Sequence, residues 1–198
     1  MLQPTYKLLP NIFGMTLIYI AIKHIPNMHR HALVTGLAAT GKSTLARYFI
    51  KRGKKAIDAD YVIAKWVDES GHTKKYEKDI GKEFLEKYKF QWDIDKLQKL
   101  LNKNEELYVF GASTNLYDLA DYFDERYYLK ADENLLATRL KTRTGPYDFG
   151  RTEEQKHLIF SWIEYNERKA KENGFVFVDA SLSPARIFSI ICKTDSSR

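Results

Sequence analysis

Short apolar runs alternate with longer amphipathic segments along most of the chain. Residues 31–35 (HALVT) form a buried-strand pattern that ends in a glycine-rich turn. Residues 42–51 follow with helical spacing, Leu45, Phe49 and Ile50 on the inner side and Gly53 placed to end the helix. A second short strand is expected at 55–58 (KAID) and a helix at 61–70. Across 73–101, Ile80, Phe84, Leu85, Leu97, Leu100 and Leu101 recur at helical spacing, and Trp92 marks a break between two helices. Residues 107–111 (LYVFG) predict a third strand, followed by a helix over 115–123 that turns Leu116 and Leu119 inward. A fourth strand is expected at 126–129, and Asp132 can cap a helix running to about Thr142. The stretch 143–151 is punctuated by Gly145-Pro146 and Gly150. Thr152 and Gln155 form a capping-box pattern opening a long helix to about Asn173. A fifth strand is expected at 175–179 (FVFVD), and Ser183-Pro184 opens the last helix.

Strands that alternate with helices require a mainly parallel sheet covered on both faces, an α/β three-layer architecture. A chain of 198 residues makes one domain with a sizeable core. The net charge of +6 suits a protein that handles anions, phosphates above all. Because the lysines are interleaved with Asp and Glu, nucleic acid is the weaker partner reading. Cys192 is the one cysteine, which fits a reducing, cytoplasmic setting and an inert thiol in a terminal helix. The apolar run 12–22 falls short of the about 20 residues that span a bilayer. Residues 1–27 are read as an N-terminal extension to a domain over 28–198.

The chemistry concentrates in Gly36-Leu37-Ala38-Ala39-Thr40-Gly41-Lys42-Ser43, which fits the phosphate-loop pattern G-x-x-x-x-G-K-[S/T] between a predicted strand and a predicted helix. Glycines there let successive N–H groups converge on one anion, and the helix N-terminus adds its positive dipole end. Lys42 is expected on the β- and γ-phosphates of a nucleoside triphosphate, most naturally ATP, and Ser43 on Mg²⁺. Asp58 and Asp60 close the second strand, where strand alternation would send both to the ligand crevice to take a proton or to meet Mg²⁺ through water. For Asp60, capping of the next helix is an equal reading. Arg139 and Arg143 share a helix face, and with Arg151 they flank the glycine-proline stretch. Arginines so placed can stabilise a phosphoryl group in flight. Asp179-Ala180-Ser181 ends the last strand at the loop's sheet edge and can border a purine. His24, His29 and His31 lack the companions of a metal set, and Trp66, Trp92 and Trp162 read as packing.

The loop GLAATGKS, the DAD after strand two, the R-x-x-x-R before a glycine-rich stretch and VDAS after strand five together resemble the small P-loop kinases, a group that includes adenylate, shikimate and dephospho-coenzyme A kinases. VFGASTN, YYLKADENLLATRLKTRT and DFGRTEEQ look closest to uncharacterised ATPase-like members of that group. The resemblance implies a five-stranded parallel sheet in the order 2-3-1-4-5, a helical substrate insert (61–105), a lid (143–151) and transfer of the ATP γ-phosphate to a small acceptor. It places Gly36, Gly41, Lys42, Ser43 and Thr44 on ATP and Mg²⁺, Arg139 near the adenine, Arg143 near the phosphates, and Asp58 and Asp60 toward the acceptor. Adenylate kinases usually carry Asp-Gly after strand three, whereas this chain reads Phe110-Gly111-Ala112-Ser113; Asp58 and Asp60 are the candidates to support the metal in its place.

The leading function is an ATP-dependent kinase acting on a small molecule or nucleotide, with Lys42, Asp58 and Arg143 in catalysis and Asp58, Asp60 and Arg151 facing the acceptor. Two other readings are a nucleotide-binding switch or adaptor ATPase, using its basic insert for docking, and a nucleic-acid end kinase.

Overall fold

The structure is a computed structural model and describes residues 30–75, 80–143 and 149–193. The readings of residues 1–27, His24, His29 and the Gly145-Pro146 turn lie outside them.

The first strand, β1 (Arg30–Thr35), leads through the phosphate loop into α1 (Lys42–Lys51). β2 (Ala56–Asp58) and a single turn, α2 (Ala59–Val62), follow. Next come β3 (Ala64–Val67), β4 (Thr73–Lys74), α3 (Lys82–Lys87), β5 (Lys89–Trp92) and α4 (Ile94–Lys103). The chain returns to the main sheet with β6 (Glu106–Phe110), a 3₁₀ segment (Tyr117–Tyr122) and β7 (Glu125–Lys130). It ends with α5 (Glu133–Thr142), α6 (Glu153–Ser161), α7 (Ile163–Glu172), β8 (Val176–Asp179) and α8 (Pro184–Lys193).

β2, β6, β1, β7 and β8 lie side by side in that order, and every pairing is parallel. Counted among the strands of this sheet alone, the order is 2-3-1-4-5. Period-two alternation divides the core between the two faces. Ala32, Val34, Tyr108, Phe110, Tyr127 and Leu129 face a cluster with Leu45 and Phe49 of α1, Leu136 and Leu140 of α5, and Ile187 and Ile191 of α8. Leu33, Leu107, Val109 and Tyr128 face the other cluster, with Leu97 and Leu101 of α4, Leu119 of the 3₁₀ segment and Ala170 of α7.

Several helical expectations are corrected. Ile50 points out to solvent, 54% exposed. The insert over 61–105 is not helical throughout: β3 pairs antiparallel with both β4 and β5, making a second, three-stranded sheet. Its cause lies in cross-strand aromatics, with Trp66 opposite Phe90 and their ring centroids 5.0 Å apart. Trp92 ends β5 and is buried, 2% exposed, so the break it marks is from strand to helix. The helix from Thr152 is interrupted at Trp162, which stacks on Phe149. The expected caps hold, with Asp132 accepting from Leu135 N–H and Thr152 from Gln155 N–H.

Gln155 departs from a simple capping box. Its side chain is buried; Oε1 accepts from the N–H groups of Gly150 and Arg151, and Nε2 donates to the Ile80 carbonyl, 2.8 Å away. Beside it, Glu154 accepts from Lys82 N–H at the start of α3. These two side chains tie the insert to the start of α6.

Candidate active site

β1 ends in the middle of the sheet, so the loop after it opens at the C-terminal edge, where crevices form in open parallel sheets. Gly36 adopts φ 149°, and a Cβ there would lie 2.7 Å from the Leu129 carbonyl oxygen, so the first loop position admits only glycine. Ala39 carries a left-handed φ of 67°. Thr40 Oγ1 donates to the Leu37 carbonyl. Lys42 Nζ donates to the carbonyls of Gly36 (2.7 Å) and Leu37 (2.9 Å). Burial lowers the Lys42 ammonium to about 8; Asp60 and Asp58 oppose the shift and Arg143 adds to it.

A cleft of about 510 Å³ runs along the loop. Ser43, Thr44, Asp60, Arg139 and Arg143 all line it, as do Tyr61 and Arg47, which the sequence reading did not single out. Arg47 sits four residues, one helical turn, beyond Ser43, and that spacing was the available signal. Arg151 does not line the cleft; its backbone N–H is held by Gln155. Arg143 lies at the end of α5, its Nη1 donating to the Phe149 carbonyl.

Strand alternation does not set the two aspartates, because β2 stops at Asp58 and α2 begins at Ala59. The turn of helix nevertheless brings both into the electrostatic surroundings of Lys42. Asp60 does not cap a helix. Its Oδ1 accepts from Ala112 N–H (2.9 Å) and, at 3.4 Å, from Trp92 Nε1. A carboxylate therefore does stand at the end of the sheet's third strand, contributed from beyond the second. Gly111 makes room for it: a Cβ there would lie 2.5 Å from Asp60 Oδ1. Burial pushes the Asp60 carboxyl up to about 6, against the pull of Lys42 and the Ala112 hydrogen bond. Asp58 keeps a buried Oδ1 that accepts no hydrogen bond.

That orphaned oxygen bears on Mg²⁺. Among the described residues no three His, Cys, Asp or Glu side chains cluster as a metal cage. Mg²⁺ in phosphoryl-transfer sites is held instead by one or two protein oxygens together with the phosphates. Ser43 lines the cleft at the start of α1. Asp58 does not line it, but lies in the electrostatic surroundings of Lys42 with an acceptor oxygen to spare, and both are of the oxygen type such a site uses.

The loop, its lysine and the carboxylate beside them lie within a match of residues 33–159 to the AAA domain family. The chain belongs to that family. Its fold is that of the small P-loop kinases among solved structures. Shikimate kinase from Acinetobacter baumannii, solved in complex with shikimate, superposes with a TM-score of 0.55 at 12% identity, covering 85% of this chain and 96% of that one. Deoxyadenosine kinase from M. mycoides with bound dATP gives 0.49 at 16% identity, covering 84% and 99%. A gluconokinase from Sinorhizobium meliloti 1021 gives 0.45 at 17%, covering 81% and 88%. No curated protein sequence matches the chain. Among the described residues of this AAA domain protein, no helix is long and apolar enough to cross a membrane.

Proposed function

We propose that this AAA domain protein is a phosphotransferase that moves the γ-phosphate of ATP to a hydroxyl of a small-molecule or nucleotide acceptor. The observation that carries this reading is the meeting of Lys42 and Asp60 in one cleft beside the phosphate loop. An acceptor hydroxyl needs a base, and Asp60, whose carboxyl desolvation raises to about 6, stands beside the loop lysine to supply one.

The acceptor hydroxyl gives its proton to Asp60 as its oxygen bonds to the γ-phosphorus. The bond from that phosphorus to the β–γ bridging oxygen breaks, and ADP leaves. Lys42 and Arg143 stabilise the charge spread over the transferring group. The amides of residues 36–43 hold the β-phosphate, with Thr44 beside them. Ser43 and Asp58 would hold Mg²⁺, which supplies charge neutralisation on the β- and γ-oxygens. Arg151, outside the cleft, has no part in this reading.

The test uses γ-labelled ATP and a panel of nucleosides, nucleoside monophosphates, sugars and hydroxy acids. Transfer to one class is expected, with Asp60→Asn lowering it at least about 100-fold while ATP affinity stays within a few-fold. A wild-type protein that binds ATP yet phosphorylates nothing in the panel would sink the proposal and favour the switch reading.

A further inference from the structure

Arg139, on α5, reaches the phosphate loop from outside. Its Nη1 donates to the carbonyls of Thr40 (3.0 Å) and Ala39 (3.4 Å), and its Nη2 to the carbonyl of Ala180 (2.8 Å). One planar guanidinium thus joins the loop to the turn after β8. That turn is itself fixed: Ala180 is buried, and its N–H donates to the Lys130 carbonyl at the end of β7.

A trans peptide points its C=O and the following N–H in opposite directions. Holding the Thr40 carbonyl on Arg139 therefore aims the Gly41 N–H away from the guanidinium. The Ala39 carbonyl is pinned in the same way, at the one described non-glycine position with a left-handed φ. Such a conformation persists only where its surroundings over-determine it. Lys42 and Thr40 hold the loop from within through the Gly36 and Leu37 carbonyls, and Arg139 holds it from outside through those of Ala39 and Thr40.

We propose that Arg139 is a positioning residue for the triphosphate site. It orients the loop's amide donors through their carbonyls and contributes to phosphate affinity without contacting phosphate. This differs from a role at the adenine ring. The inference rests on the reading that the loop takes phosphates, and the experiment separates the two.

Binding of ATP and of inorganic tripolyphosphate is measured by calorimetry for the wild type, Arg139→Lys and Arg139→Gln, with thermal melts on the same samples. Both ligands are expected to lose about tenfold in affinity by the same factor in Arg139→Gln, with partial recovery in Arg139→Lys, which keeps a donor but not the fork. A loss confined to ATP with tripolyphosphate unchanged would assign Arg139 to the base and overturn the inference. So would unchanged affinity for both ligands in a folded variant. Should Arg139→Gln fail to fold, Arg139→Lys alone must show the parallel loss. A wild type that binds neither ligand would instead refute phosphate binding by the loop.

Discussion

Replacing Asp60 by Asn should make the protein more stable at neutral pH while removing its activity. Burial moves the Asp60 carboxyl from the ordinary 3.8 to about 6, equivalent to about 3 kcal/mol of preference for the protonated form. A carboxyl whose folded value lies above its unfolded value stabilises the fold below the unfolded value. That contribution is lost as pH rises through the folded value. Above about pH 6 the wild type therefore carries a buried charge at a net cost. An amide oxygen in the same place still accepts from Ala112 N–H and Trp92 Nε1, so neither of those donors is stranded, and the amide NH2 takes the side that faces the open cleft. The attraction of Lys42 is already contained in that shift; because Asp60 is only partly buried and lines the open cleft, solvent screening reduces the gain to about 2 kcal/mol. For a domain of this size that is a rise in Tm of roughly 4–8 °C. Melts at pH 8 should show it, and at pH 4, where the wild-type carboxyl is protonated in the folded state, the difference should fall below about 1 kcal/mol. A variant less stable than wild type at pH 8 would refute the reasoning. So would an equal gain at both pH values.

With phosphate transfer as the readout, kcat/KM should rise through about pH 6 as Asp60 ionises and fall through about pH 8 as Lys42 loses its proton. In kcat the alkaline limb should move upward, because bound triphosphate holds the lysine proton; a flat profile from pH 5 to 7 contradicts Asp60 as the base. Gln155→Ala leaves the N–H groups of Gly150 and Arg151 and the carbonyl of Ile80 without their partner. The expected loss is about 3 kcal/mol in chemical denaturation, and under about 1 kcal/mol would mean that water replaces all three contacts. Ala39→Gly relieves a left-handed alanine worth about 1–2 kcal/mol and adds unfolded-state freedom worth about 0.4–1 kcal/mol. A higher urea midpoint is expected, and a lower one would show that the Cβ of Ala39 is needed where it is.

The main sheet was legible because each of its strands is a short apolar run whose alternation serves two buried faces. The phosphate loop was legible because its chemistry resides in glycines and one lysine at fixed spacing. The small sheet was not. Ala64–Val67 follows a single helical turn with no glycine or proline between, and it becomes a strand by pairing with Lys89–Trp92, about 25 residues on. The same long reach hid the surroundings of Asp60, since Trp92 and Ala112 come to it from 32 and 52 residues away. Arg139 and Arg143 both line the cleft, but not from one helix face: α5 ends at Thr142 and Arg143 is already extended. What Arg139 touches there had no sequence signal.

The three partners of Arg139 are all main-chain carbonyls. Every amino acid carries that group, so this contact asks nothing of which side chains stand at 39, 40 and 180. Those positions can drift under their own limits of packing and backbone angle while the bond persists. Related chains would then show a steady arginine facing variable partners, a pattern in which pairwise covariation finds no trace of the contact. Only the geometry of the backbone records it.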